Sequence, residues 1–222
     1  MELIITGDGS HTLYLKDLNE TYHSRHGAIQ ESLHVFIKNG LRYYISVSHK
    51  KKIHLFELGL GTGLNALLTA IEAEKFKCQV DYEVIEPHPV PPAVCLQLNY
   101  VNRIYQPGLE ILFKKIHDLE WGVDLPLRDN FRIKKDQTFF ENYQEIKNRF
   151  DVIYYDAFSP GKQPEIWEPA LLEKTYEMLI PKGILVTYCA QGKFKRDLRN
   201  IGYQVETLKG PPGKKEMVRA NK

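Results

Sequence analysis

Between Phe56 and Leu68 the chain reads FELGLGTGLNALL: Glu57, then three alternate glycines, Gly59, Gly61 and Gly63, then Asn65 at the start of a leucine-rich run. Glycines at this spacing, between an apolar strand and a helix, leave bare backbone amides and the positive end of a helix facing a ligand. A dinucleotide fingerprint, G-x-G-x-x-G, needs glycine where Leu64 stands, so the loop is not expected to seat a pyrophosphate. A second apolar run ends YEVIE, which would set Glu86 at a strand's carboxyl end beside the glycine loop, able to accept hydrogen bonds from two ribose hydroxyls. Asp136, closing NFRIKKD, would sit next along the same cleft and could accept from an adenine amino group. Either acid alone reads equally well as an ordinary polar strand end; the glycine loop in register before them favours the ligand. A fourth run, FDVIYYDAF, delivers Asp156 into a loop, where a carboxylate could orient an amine and take its proton. The competing role for Asp156 is to cap that loop by accepting backbone amides.

The elements that must position these residues alternate from residue 53 onward. KIHLFEL, QVDYEVIE, NFRIKKD, FDVIYYDAF and GILVTYCA read as strands, and GLNALLTAIEAEKF, VPPAVCLQLNYVNRI, QTFFENYQEIKNRF, EPALLEKTYEMLI and GKFKRDLRNIG as helices between and after them. YQVETLKG and KKEMVRAN pair as closing strands around GPPGK. This alternation predicts an α/β protein with a doubly wound, mostly parallel sheet of about seven strands. Within residues 1–50, ELIITGDGSHTLYLKD and LRYYISVS alternate apolar and polar, as antiparallel strands of an added β arm would, packed on a domain over residues 51–222. Residues 105–128 fit no element.

The pattern Glu-x-Gly-x-Gly-x-Gly resembles the first motif of S-adenosylmethionine-dependent methyltransferases, which have a Rossmann-like fold. DVIYYDAFSPGKQPEIW is more specific. It resembles the methyltransferase domain of the MnmC family, the bacterial tRNA 5-methylaminomethyl-2-thiouridine biosynthesis enzymes, whose loop follows Asp-Gly-Phe-x-Pro-x-x-Asn-Pro-x-x-Trp. Asp156, Phe158, Pro160, Pro164 and Trp167 keep that spacing, with Ala157 in place of glycine and Gln163 in place of asparagine. GAIQESLHVFIKNGL and GYQVETLKGPPGKKEMVRA match the family's amino-terminal segment and closing hairpin. The resemblance implies S-adenosylmethionine as cofactor, with Glu57, Gly59, Gly61, Gly63, Asn65, Glu86 and Asp136 around it and Glu31, beside Gln30, at its amino acid end. It implies methylation of an aminomethyl group on a tRNA wobble uridine, with Asp156 as the catalytic group and Phe158 and Pro160 shaping the loop against the base. Trp167 and Tyr188 could stack on a base or belong to the core, and packing is favoured for Trp167. The bifunctional members carry a flavin oxidase domain after the methyltransferase; a chain ending at Lys222 is expected to hold the methyl-transfer half alone, with a separate oxidase as a candidate partner. A methyltransferase or aminopropyltransferase acting on a small free amine stays open, as does a binding module that has kept the fold and lost the chemistry.

A net charge of +2 neither demands nor excludes an anionic partner. Lys193, Lys195, Arg196 and Arg199 share one predicted helix, near the cleft mouth, and are candidate contacts to the tRNA backbone, which Lys214 and Lys215 would extend. Three dispersed cysteines without a CxxC spacing, and eight scattered histidines, give no metal site and no disulfide framework. With no leader pattern and no long apolar run, the expectation is a cytoplasmic protein away from the membrane.

Overall fold

The computed structural model describes residues 1–144 and 146–222. Its centre is an eight-stranded sheet in the order β10-β11-β9-β8-β4-β5-β7-β6. Strands β4 (Lys52–Leu58), β5 (Gln79–Ile85), β7 (Phe131–Asp136), β8 (Phe150–Tyr155) and β9 (Leu179–Thr187) pair in parallel. Two antiparallel additions flank them: the hairpin β10 (Gln204–Lys209) and β11 (Glu216–Asn221) beside β9, and β6 (Asp124–Arg128) beside β7. A separate antiparallel sheet, β1 (Glu2–Ile5), β2 (His11–Leu15) and β3 (Glu20–Thr21), precedes them.

Side chains on neighbouring strand residues point to opposite faces, and the two faces carry two separate cores. Ile53, Leu55, Val152 and Tyr154 pack under the amino-terminal helical segment, α3 (Leu64–Lys75) and α6 (Leu109–Asp118). Phe56, Leu58, Ile153 and Tyr155 pack under α7 (Pro169–Met178) and α8 (Gly192–Ile201). No helix among the described residues is long and apolar enough to cross a membrane.

Several expected elements differ. LRYYISVS is helical: α1 (Ala28–Ser32), a π-helical stretch Leu33–Arg42 and α2 (Tyr43–Ser48) follow one another without a break, and His49 ends them in a left-handed conformation. Leu41 and Tyr44 are the buried pair in that octet, a spacing of one helical turn rather than the two-residue period of a strand. VPPAVCLQLNYVNRI forms two short helices, α4 (Pro92–Cys95) and α5 (Tyr100–Ile104). The break frees Asn99, whose side chain accepts from His11 N and donates to Gly9 O, tying the small sheet to the body. QTFFENYQEIKNRF shows no helix among its described residues, residue 145 lying outside them; Lys174 of α7 instead donates to the carbonyls of Phe140 and Tyr143. The unassigned stretch 105–128 supplies α6, with Leu109, Leu112, Phe113 and Ile116 buried at helical spacing, and the eighth strand β6.

Asp151 fastens the helical segment to the sheet. Its carboxylate, 2% exposed, accepts from Tyr44 OH at 2.8 Å, His54 N at 2.8 Å and Lys50 Nζ at 2.7 Å. Asp151→Ala would leave a buried hydroxyl and a backbone amide without an acceptor, at a cost of about 2–4 kcal/mol. Thermal unfolding should therefore shift down by roughly 4–16 °C for a domain of this size, with no change in cofactor binding.

Candidate active site

The strand order reverses between β4, which pairs with β5 on one side, and β8 on the other. Loops leaving the carboxyl ends of two such strands diverge and open a crevice, and here those loops carry the three glycines and Asp156. The crevice, of about 710 Å³, is lined by Gly59, Gly61, Glu86, Asp156, Phe158 and, from the amino-terminal third, Tyr22 and Glu31.

The glycine loop needs its glycines for two reasons. Gly59 and Gly61 hold φ of +91° and +49°, where L side chains are strained. A Cβ on Gly59 would also stand 2.9 Å from the Asp156 carbonyl oxygen, and one on Gly61 2.9 Å from the Tyr22 ring. Gly63 lies outside the crevice lining; it starts α3 and lets the His117 ring pack against the loop from behind. Glu86 caps the loop, accepting from Gly61 N at 3.1 Å through one oxygen and from His88 N at 2.9 Å through the other.

Glu57 and Asp156 lie on one face of the sheet, because Glu57 pairs with Tyr154 and Asp156 follows Tyr154 by one two-residue period. Asn65, in the first turn of α3, reaches both: its Nδ2 donates to Glu57 Oε1 at 2.9 Å and to Asp156 Oδ2 at 2.8 Å. Tyr82 OH donates to the other Glu57 oxygen at 2.6 Å. Glu57 is 1% exposed and Asn65 3%, and neither lines the crevice. Both were expected at the cofactor; they form instead a buried support behind the loop. Burial pushes the Glu57 carboxyl well above the usual range, against the Tyr82 and Asn65 hydrogen bonds, with Asp156 adding to the rise. Asp156 opens onto the crevice, and burial, then the negative charge of Glu31, raise its pKa to about 7, against the Asn65 hydrogen bond and the Lys214 charge.

The remaining expected residues divide. Glu31 faces the crevice, accepting from Ser24 N at 2.9 Å and pairing with Lys214 at 2.7 Å, while Gln30 is exposed. Phe158 lines the crevice and Pro160 does not. Asp136 is also outside the lining; its carboxylate meets Lys134 at 2.6 Å, and its backbone oxygen accepts from Glu86 N at 3.1 Å. Trp167 is core: it is 4% exposed, packs on Tyr155 and Phe194, and donates to Phe158 O at 2.8 Å. Tyr188 holds the same loop, donating to Ala157 O at 2.8 Å, with Lys214 Nζ 3.7 Å above its ring. On α8, Lys193 pairs with Asp197 and Lys195 with Glu216, whereas Arg196 and Arg199 meet no carboxylate among the described residues. Tyr22 and His23 also line the crevice, a position the sequence reading missed. His23 Nε2 lies 2.7 Å from Thr62 Oγ1 and Tyr22 lies over Gly61, contacts made across the fold for which ETYHS carries no spacing signal.

The crevice fits a nucleoside with a cationic tail: strained glycines keep one wall free of side chains, Glu86 stands at the carboxyl end of β5, and carboxylates of Glu31 and Asp156 converge at the other end. Residues 133–222 match the family model described as S-adenosyl-L-methionine-dependent methyltransferase. The tRNA 5-methylaminomethyl-2-thiouridine biosynthesis bifunctional protein MnmC of Burkholderia thailandensis is 28% identical over 210 residues, which cover 90% of this chain and 32% of that protein. Its counterpart in Cupriavidus necator is 27% identical over 220 residues, covering 94% and 32%. The chain thus spans about a third of the length of the curated relatives it matches. Crystalline MNMC2 from Aquifex aeolicus aligns with a TM-score of 0.78 at 26% identity, covering 99% of this chain and 69% of that one. Spermidine synthase from Thermotoga maritima, at a TM-score of 0.52 and 15% identity, shares the fold. Glycine wall, strand order and these likenesses together support a methyltransferase that uses S-adenosylmethionine and is similar to the methyltransferase domain of MnmC proteins.

Proposed function

We propose that the protein methylates the aminomethyl group of a wobble uridine in tRNA, giving methylaminomethyl. The observation that carries this reading is Asp156, a half-buried carboxylate held by Asn65 and lining the crevice together with Gly59 and Gly61. Bound S-adenosylmethionine supplies an electrophilic methyl carbon. In this reading Glu86 accepts from the ribose hydroxyls, the amides near Gly59 and Gly61 lie against the sugar and the tail, and Glu31 meets the tail's ammonium group. Asp136 and Gly63 act from behind, by holding Glu86 and α3 in place.

An alkylammonium has no lone pair with which to attack, so the site must take a proton from it. Asp156, with a pKa of about 7, is ionised enough near neutrality to accept that proton and to aim the freed lone pair through its hydrogen bond. Phe158 and Pro160 set the shape of the wall along which the base enters. The names of the MnmC relatives, which refer to 5-methylaminomethyl-2-thiouridine in tRNA, support this acceptor. The amine must be supplied by a preceding reaction that leaves a free aminomethyl group on the uridine. The acid-rich lining also suits a free polyamine, a second reading.

Incubation with undermodified tRNA, followed by mass spectrometry of wobble nucleosides, should reveal methylaminomethyl uridine; turnover of polyamines but not tRNA would select the second reading. Asp156→Ala should abolish turnover while leaving S-adenosylhomocysteine affinity within a few-fold. Stability gives a separate check on Asp156. The folded state keeps its proton up to about 7, while an unfolded aspartate releases it near 3.8. Stability therefore falls as pH climbs through that window, and Asp156→Asn removes the slope, so its gain in Tm over the parent should be larger at about pH 8 than at about pH 5. Alanine at Lys193, Lys195, Arg196 and Arg199 together should weaken tRNA binding at low salt and flatten its salt dependence, with Arg196 and Arg199 contributing most.

A further inference from the structure

Building on the tRNA reading, we propose that Tyr22 and Phe158 form an aromatic corner that receives the target base after it has turned out of the RNA strand, so that the base enters the crevice while its phosphates stay outside. Tyr22 follows β3 and Phe158 belongs to the loop after β8, yet their rings meet edge to face, centroids 5.2 Å apart and planes at 62°. Both are half-buried and both line the crevice. A pyrimidine laid on the face of one ring meets the edge of the other, which fixes the plane of the base without reading its identity.

The two walls are tied to each other on either side of the corner. Ser159 Oγ donates to Glu20 Oε2 at 3.3 Å, and His23 lies 2.7 Å from Thr62. Tyr22 is therefore held at the meeting point of the glycine loop and the Asp156 loop. No hydrogen bond fixes its hydroxyl among the described contacts, so the ring itself is the functional part. Of the other aromatic residues lining the crevice, Phe140 is buried, Tyr188 is capped by Lys214, and Phe139 is exposed and meets His88 edge to face beyond Glu86, away from the Asp156 loop.

Charge explains why the base should enter alone. Carboxylates of Asp17, Glu20, Glu31, Glu86, Asp156 and Glu165 line the crevice, against the cations Arg25, Lys162 and Lys214, one of which is already paired with Glu31. This excess of acid attracts an aminomethyl cation and repels phosphate. A base carrying that substituent can reach Asp156 only by leaving its stack, because a stacked neighbour would bring its own phosphates into the same acidic space.

The test uses an anticodon stem-loop with 5-bromouridine at the wobble position, bound to the full chain with S-adenosylhomocysteine and irradiated. Peptide mass spectrometry should place the cross-link on Tyr22 or Phe158. Tyr22→Leu and Phe158→Leu should each weaken stem-loop binding at least about fivefold, while Tyr22→Phe binds like the parent and Phe158→Leu keeps S-adenosylhomocysteine affinity within about twofold. Cross-links elsewhere, or variants that lose cofactor but not RNA affinity, would overturn the aromatic corner and leave the tRNA reading standing. A parent chain that binds no stem-loop would overturn the tRNA reading, and the corner with it.

Discussion

One carboxamide governs the chemistry of this crevice. Asn65 donates from a single nitrogen to both Glu57 and Asp156, and its hydrogen bonds lower the pKa of two acids that burial raises. Without that bridge the second acid would be free to rotate, and its position above the glycine wall would be lost. The bridge exists because β4 and β8 are neighbours in register, because strand periodicity puts both acids on one face, and because α3 begins directly after the glycine loop. A parallel sheet whose order reverses at β4 supplies all three conditions at once.

The same geometry separates support from contact. Glu57, Asn65, Tyr82 and Gly63 lie outside the crevice lining, whereas Gly59, Gly61, Glu86, Glu31 and Asp156 line it. The amino-terminal segment completes the enclosure from the opposite side. Its anchors are distributed: Asn99 holds Gly9 and His11, Arg103 Nη2 donates to Asp8 O at 2.7 Å, and Thr62 meets His23. A wall built by one segment and anchored by two others, α5 with its cap and the glycine loop, explains how Tyr22, remote in sequence from Phe158, can face it.

What could be read from the sequence follows the range of the interactions. The glycine loop, β4, β5, α3 and the closing hairpin are set by local patterns, and they fold where those patterns put them. Asp156 and Glu86 were legible because a strand's end in this topology faces the crevice. LRYYISVS misled because an alternating octet cannot reveal that it continues a helix begun at Ala28, and α6 was hidden although Leu109, Leu112, Phe113 and Ile116 carry a clear helical spacing. Glu57 and Asn65 were found as residues, but their burial outside the crevice lining was not legible, since sequence shows that an acid is near a glycine and not which way it turns. Tyr22 had no local signal: its contacts come from the glycine loop and from the loop of Phe158, both remote in sequence.

The central claim is that the glycine wall and Asp156 hold a sulfonium nucleoside with its transferable carbon toward the carboxylate. A crystal structure with S-adenosylhomocysteine tests it most directly. The account predicts ribose hydroxyls on Glu86, the sugar against Gly59 and Gly61, and the thioether sulfur turned toward Asp156 with open space between them. A nucleoside bound with its ribose away from Glu86, or a sulfur turned from Asp156 toward the glycine wall, would contradict it.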